Sequence, residues 1–146
     1  MFTVFEIKEN LVLGTMEASM RRVTGLGGVF FKAEKPEQLY QWYEKHLGIK
    51  REPHGQGAAF RWHDDGDAEG STAWAIFTKD TDYFNPSQQP FMLNYRVENL
   101  DVLLDTLRAE GVWVDPKRED GDYGRFAWIM DPEGNRIELW EPPKGA

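Results

Sequence analysis

The chain of 146 residues contains no cysteine, so it has neither disulfide bonds nor thiolate chemistry, as is common in cytoplasmic proteins. It has no run of about 18 apolar residues either, and we therefore expect no membrane-spanning helix. Basic residues are outnumbered: 17 Lys and Arg stand against 25 Asp and Glu, which gives a net charge of −8. Because phosphate contacts require clustered basic side chains, this balance argues against nucleic acid as a partner.

Aromatic residues, in contrast, are abundant, with 6 Trp, 9 Phe and 5 Tyr. Such side chains fill protein cores and line small-molecule pockets. The length suits a single domain, which we place at residues 21–146. We interpret residues 1–20 as a loosely held extension or an over-long start, or else as an edge strand or an arm that reaches a partner subunit. They lack the basic and apolar regions of a secretory signal.

Residues 126–140, FAWIMDPEGNRIELW, predict two strands joined by a turn. Pro132 and Gly134 suit the turn, because proline presets φ and glycine accepts a positive φ. In the second strand, alternation puts Glu138 on the same face as Trp140. A carboxylate in this position fits a solvated face as well as it fits a functional site.

Two segments show the apolar spacing of amphipathic helices. The first begins at Pro36, where a missing N–H has no cost, and ends at Gly48. The second follows Asn99, a suitable N-cap, and ends at Gly111. Alternation and turn residues predict further strands in the first half at 26–33, 49–54, 58–63 and 72–77.

The order of strand, helix and three strands therefore occurs twice. An offset of 63 aligns Gly48 with Gly111 (111 − 48) and residues 73–77 with 136–140 (136 − 73). We infer an internal duplication, with one module at about 24–79, a linker at about 80–90 and a second module at about 91–142. Neither module has enough helix to cover both faces of its sheet, so the two uncovered faces should meet or form a cleft.

The segment DPEGNRIELWEP and the repeated order of elements resemble the vicinal oxygen chelate superfamily, which includes glyoxalase I, bleomycin-resistance proteins and extradiol dioxygenases. The resemblance covers about residues 24–142. It implies an α+β fold in which two βαβββ modules form a cup-shaped mixed sheet with the helices outside. Small members of the superfamily commonly form homodimers, so it also implies a homodimer.

The resemblance places the four ligand positions of the metal-dependent members at Gly28, Ala75, Met92 and Glu138. Only the last of these suits a hard or borderline divalent ion, because Gly and Ala have no donor and a thioether prefers soft ions. Zn²⁺, Ni²⁺ and Fe²⁺ require about three or more N or O ligands. We therefore expect no metal cofactor. The alternative is a divalent ion such as Zn²⁺, Ni²⁺, Fe²⁺ or Mn²⁺ held by ligands in other positions.

Strand alternation and the family register place a set of side chains inside the cup together with Glu138. We expect them to bind a small organic ligand, with core filling as the alternative role for each aromatic: Phe30, Lys32, Phe77, Met92, Asn94, Arg96, Trp128, Arg136 and Trp140. A carboxylate buried alone is unfavourable, so we expect an ion pair with Arg96, Arg136 or Lys32. If Glu138 has no such partner, it is instead a candidate catalytic general base.

The histidines add little to a metal site. His46 lies at the end of the first helix, where a positive charge suits the helix dipole, and we assign it a structural role. His54 and His63 lie in or beside strands at a spacing that does not form a ligand pair. The acidic segment 64–69 lacks the ligand spacing of an EF-hand, and we interpret it as a solvated loop.

Two main functional hypotheses follow. The first is a metal-free member of the superfamily that binds a small, largely aromatic or apolar organic molecule without altering it, as bleomycin-resistance proteins do. The second is an enzyme of the lyase, epimerase or dioxygenase type that depends on a metal or uses Glu138 as a general base. A third, an interaction module with a groove for a protein partner, has only the unusual N-terminal segment in its favour.

Overall fold

The computed structural model describes residues 21–53, 57–62 and 70–144. Residues 1–20, His54, His63 and the acidic segment 64–69 lie outside the described residues. In chain order the elements are β1 (Val23–Ala33), α1 (Pro36–Leu47), β2 (Gly57–Arg61), β3 (Ser71–Thr78), β4 (Phe91–Val97), α2 (Leu100–Ala109), β5 (Val114–Gly121), β6 (Gly124–Met130) and β7 (Arg136–Glu141).

The seven strands form one mixed sheet in the order β2-β3-β1-β4-β7-β6-β5, which is not closed. In the first module β1 is parallel to β3, and in the second β4 is parallel to β7. The modules join at the centre, where β1 and β4 are antiparallel. The predicted fold class, an α+β fold of two modules on one mixed sheet, is confirmed.

The predicted helix ends are confirmed. Pro36 opens α1, and Gly48 closes it in the left-handed conformation with φ of 70°. The side chain of Asn99 accepts a hydrogen bond from the backbone N–H of Val102 at the start of α2, with an N–O distance of 3.3 Å. Gly111, just beyond α2, also has a positive φ of 82°. Short-range chemistry therefore sets where both helices begin and end.

The strand predicted at 49–54 is wrong over its described part, because residues 49–53 form no strand. Arg51 instead binds Glu37 of α1 through two contacts of 2.7 and 2.8 Å. Its guanidinium also lies 4.8 Å from the centre of the Tyr40 ring. These contacts hold the segment beside α1, so the described part of the first module contributes three strands where the second contributes four.

Both helices cover the same face of the sheet. Tyr40 of α1 accepts a hydrogen bond of 2.7 Å from the backbone N–H of Ile76 in β3. Helix α2 packs Leu100, Leu103 and Leu104 into a cluster with side chains of β4, β6 and β7. The other face carries no helix formed by the described residues, and we call it the inner face. It is defined by Phe30, Met92, Asn94, Trp128 and Glu138.

Candidate functional site around Glu138

Glu138 lies at the centre of the inner face and is only 2% exposed. It is paired with Asn94 of β4 on one side and with Trp128 of β6 on the other. Residues paired across neighbouring strands point to the same face of a sheet, so the three side chains come together. The site therefore results from the alternation of side chains along each strand and from the register between β4, β7 and β6.

Three neutral groups donate hydrogen bonds to the carboxylate. Asn94 Nδ2 lies 2.6 Å from Oε1, and Trp128 Nε1 lies 2.9 Å from Oε2. The hydroxyl of Tyr83 donates a third hydrogen bond to Oε2. The expected ion pair of Glu138 with Arg96, Arg136 or Lys32 is wrong, since none of the ion pairs among the described residues includes Glu138.

Arg136 lies on the predicted face, but its guanidinium forms an ion pair with a carboxylate other than Glu138. Its Nη2 lies 2.8 Å from Oδ2 of Asp115 in β5. The guanidinium stacks on Trp128, 5.3 Å from the ring centre. It is almost fully buried, with 4% of the side chain exposed. The sequence pattern does not single out Asp115, because β5 is irregular between Val114 and Arg118 and simple alternation does not predict its inward residues.

The other two expected partners contact aromatic rings. The Arg96 guanidinium lies 5.0 Å from the ring centres of both Trp62 and Trp140. Lys32 Nζ lies 5.4 Å from the centre of the Phe84 ring. Cations over aromatic faces are stabilised by the negative charge density of the ring.

The connection between β3 and β4, residues 79–90, forms a strap across the inner face. Phe84 is completely buried and packs with Phe30, Met92 and Trp128. The neighbouring Tyr83 stacks on Phe77, with ring centres 5.4 Å apart and planes at 12°. The edge contact of Tyr83 with Trp128 has a centre separation of 6.0 Å.

The sequence pattern predicts only a linker at about 80–90, and it assigns no role to Tyr83 and Phe84. A signal for them exists: two adjacent aromatic residues in an aperiodic, polar stretch favour packing against the rest of the fold, because aromatic rings gain much from burial. The sequence does not show what these two residues contact, because the surface on which they pack is formed by strands of both modules.

Burial raises the pKa of Glu138, while the hydrogen bonds from Tyr83, Asn94 and Trp128 act in the opposite direction. Burial and the adjacent negative charge of Glu138 raise the pKa of the Tyr83 hydroxyl far above its ordinary value. Tyr83 therefore keeps its proton at neutral pH and acts as a donor. A carboxylate whose pKa is raised by burial is a stronger base than an ordinary one, as proton abstraction requires.

Buried hydrogen-bonding capacity remains around the carboxylate. Asn94 Oδ1 and two donor atoms of Arg136, Nε and Nη1, have no partner among the described residues. Buried polar atoms are usually paired, so these three atoms are unused hydrogen-bonding groups beside the carboxylate. Lys117 lies above this region, with Nζ 4.9 Å from the centre of the Trp128 ring and 5.6 Å from that of Tyr83.

The residues around Glu138 do not form a typical site for a hard metal ion. The expected ligand position on β4 was Met92, but the residue that faces Glu138 is Asn94, while Met92 pairs with Phe30. The carboxylate is thus surrounded by an amide, a phenol and an indole. No group of three His, Cys, Asp or Glu able to hold a metal ion occurs within 21–53, 57–62 and 70–144.

The other residues expected to bind a ligand share this face. Phe30, Phe77, Met92 and Trp128 form the aromatic cluster beneath the strap. Trp140 lies further along β7, where it stacks on Phe126 with ring centres 6.0 Å apart. The structure thus brings the predicted side chains together, and their role in ligand binding remains a prediction.

The profile of the glyoxalase-like domain matches residues 28–140 of the chain. The chain belongs to the glyoxalase-like domain family. This places it in the vicinal oxygen chelate superfamily, as the sequence resemblance implied. No curated protein sequence matches the chain. No helix of the described residues has the length and apolar character needed to cross a membrane.

Solved structures share the fold of this glyoxalase-like domain. Methylmalonyl-CoA epimerase from Mycobacterium tuberculosis has 22% identity and a TM-score of 0.61, with 86% of this chain and 92% of that chain covered. A variant of the Streptomyces coelicolor epimerase in complex with 2-nitronate-propionyl-CoA has 15% identity and a TM-score of 0.61, with coverages of 82% and 98%. A Legionella pneumophila structure described as an NAD-dependent benzaldehyde dehydrogenase has 15% identity and a TM-score of 0.54, with coverages of 80% and 98%. At these identities the likeness establishes the fold alone.

Proposed function

We propose that this glyoxalase-like domain binds a small, largely aromatic or apolar organic molecule on its inner face, without a metal, and that Glu138 is the polar anchor. The observation that supports the proposal is a buried carboxylate with three neutral donors inside an aromatic cluster. Ligand pockets are typically apolar and aromatic, with a few convergent polar groups.

A purely structural role explains Glu138 poorly. Burying a carboxylate without a cation is unfavourable, and an apolar residue would fill the same space at a lower free energy. The raised pKa of Glu138 reflects the same conflict, because burial disfavours its charged form. Selection for binding or chemistry is the simpler reason for a charged group here.

The donor set supports binding without a metal. Besides the carboxylate, the contacting groups are the amide of Asn94, the phenol of Tyr83 and the indole of Trp128. An indole N–H is not a metal ligand, and a protonated phenol is a weak one. All three direct a hydrogen toward the carboxylate, which suits an anion acting as an acceptor.

A second candidate function is proton transfer, with Glu138 as the general base of an epimerase or isomerase. The observation in its favour is the raised pKa of a desolvated carboxyl group that has no cationic partner among the described residues. Both epimerase structures named above, those from Mycobacterium tuberculosis and Streptomyces coelicolor, share this fold, which adds support at the level of fold only. The homodimer and the cytoplasmic location stay predictions.

The first test is the metal content of untagged protein purified without chelator, before and after incubation with Zn²⁺, Ni²⁺, Fe²⁺ and Mn²⁺. We expect trace metal only. Stoichiometric metal that is lost in Glu138→Gln but retained in Glu133→Gln, a change in the exposed β6–β7 turn, would overturn the metal-free proposal.

The second test is a fragment screen by NMR, with the indole N–H of Trp128 as the reporter because it donates to Glu138. We expect aromatic fragments to shift this signal in the wild type. Fragments that shift no inner-face signal would contradict ligand binding here. For the second candidate, solvent deuterium should enter methylmalonyl-CoA next to the carbonyl with the wild type and not with Glu138→Gln.

A further inference from the structure

We infer that the side chain of Tyr83 occupies a ligand subsite, and that the ligand is a flat ring carrying a neutral O–H or N–H donor, with a phenol as the simplest example. This inference rests on the proposed function and names the class of molecule that the site accepts. The ligand ring would take the place of the tyrosine ring, and its donor would take the place of the tyrosine hydroxyl.

The shape of the subsite follows from the rings around Tyr83. Phe77 stacks on one side of it, nearly parallel at 12°, and Trp128 makes an edge contact at 87°. Stacked and edge-on contacts are the two preferred arrangements of aromatic pairs. We call the space that Tyr83 fills between the parallel ring of Phe77 and the perpendicular ring of Trp128 the slot. Its shape favours a planar ring.

The chemistry of the subsite follows from the carboxylate. Oε2 of Glu138 accepts from Tyr83 and from Trp128, and Oε1 accepts from Asn94. A molecule that displaces Tyr83 without bringing a donor removes one hydrogen bond from a buried charge. Hydrogen bonds to charged groups are strong enough that this loss weakens binding by about tenfold or more. A carboxylate ligand meets like charge at the same position.

The two aromatic residues of the strap are held differently, so that Tyr83 can move out of the site while Phe84 stays in place. Phe84 is completely buried in the aromatic cluster and anchors the segment. Tyr83 is only partly buried and lies beneath Lys117, whose side chain is half exposed. In the proposed ligand-bound state the Tyr83 side chain rotates toward solvent, and the buried Phe84 keeps the strap on the sheet.

The experiment compares 4-methylphenol with toluene and 4-methylanisole, which have the same ring but no donor. Binding is measured by NMR titration of the Trp128 indole signal in the wild type and in Tyr83→Ala. We expect Tyr83→Ala to bind 4-methylphenol about tenfold more tightly than toluene, and more tightly than the wild type does, because no side chain has to be displaced. Equal affinities of Tyr83→Ala for 4-methylphenol and toluene would overturn the inference.

Two further variants keep the test decisive. In Tyr83→Ala/Glu138→Gln the preference for 4-methylphenol over toluene should fall to within about threefold, because the acceptor is no longer charged. If Tyr83→Ala does not fold, Tyr83→Phe is used, which keeps the ring and lacks only the hydroxyl. Because the phenylalanine ring has no hydrogen bond to Glu138, 4-methylphenol should displace it more easily and bind Tyr83→Phe more tightly than the wild type. No gain in affinity over the wild type would contradict the inference.

The two proposals can fail separately. If toluene and 4-methylanisole shift the Trp128 signal of the wild type as strongly as 4-methylphenol does, ligand binding on the inner face stands and the donor class is refuted. If aromatic fragments of every kind leave that signal unchanged in the wild type and in Tyr83→Ala, the proposed function fails and the inference fails with it.

Discussion

Replacing Tyr83 by Phe isolates a single hydrogen bond at the centre of the site. The ring contacts with Phe77 and Trp128 remain, and only the donor to Glu138 is lost. Hydrogen bonds to charged groups contribute about 1.5–3 kcal/mol, and those between neutral groups about 0.5–1.5 kcal/mol. We expect Tyr83→Phe to lower the free energy of unfolding by about 2 kcal/mol at neutral pH.

The same substitution in a Glu138→Gln background measures how much of this effect is due to the charge. The amide introduced by Glu138→Gln can direct its NH₂ toward Asn94, whose Oδ1 has no partner among the described residues and can accept after the Asn94 amide turns over. The remaining oxygen still accepts from Tyr83 and Trp128. In this background we expect Tyr83→Phe to cost about 1 kcal/mol, so the coupling energy is about 1 kcal/mol.

Urea denaturation of the four proteins in this cycle gives each free energy of unfolding. Tyr123→Phe is the matched control, because that tyrosine is 74% exposed and its change should cost less than about 0.5 kcal/mol. A cost for Tyr83→Phe that is as small as the control, or that is equal in both backgrounds, would refute the contact between the strap and a charged Glu138.

Three more predictions test the packing and the charge. Phe84→Ala should lower the free energy of unfolding by about 3–5 kcal/mol in urea denaturation, because the ring is completely buried; a cost below about 1 kcal/mol would show that the strap does not pack on the sheet. Gly27→Ala places a methyl group 2.1 Å from Asn94 Oδ1 and should cost about 1–3 kcal/mol, whereas Gly121→Ala meets no atom within 4 Å and is the control. Burial raises the pKa of Glu138 in the folded protein. Protonation of Glu138 therefore stabilises the folded state: this contribution to the free energy of unfolding is fully present below the unfolded pKa of about 4.3 and is lost as the pH rises through the folded pKa. The stability of Glu138→Gln relative to the wild type should therefore increase as the pH rises above about 4.3, and a difference that stays constant wherever both proteins are folded would contradict the raised pKa.

Local sequence patterns predicted much of the inner face. Alternation at period two put Glu138, Arg136 and Trp140 on one side of β7, and the structure has all three there. The family register placed the residues of β1 and β4 on the same side. These predictions succeed because the direction of a side chain in a regular strand depends on parity alone.

Prediction failed where a contact depends on distant segments. The sequence offered three cations as partners for Glu138, and the structure pairs Arg136 with Asp115 instead. Residues 49–53, which were expected to form a strand, lie beside α1 because Arg51 binds Glu37. The sequence shows which residues are charged, but the choice among charged partners depends on which groups the fold brings within reach.

The sequence by itself determined the repeated order of strands and helices, the ends of both helices and the side chains that share a face of β7, because periodicity, capping residues and turn residues act over a few positions. The family resemblance supplied the register of the other strands on the inner face. Tertiary structure alone decided the environment of Glu138: β4 brings Asn94, β6 brings Trp128, and the strap brings Tyr83. These donors are 44, 10 and 55 positions away along the chain. The pKa of a buried carboxyl group depends on such neighbours and on the loss of water around it, which only the folded chain defines.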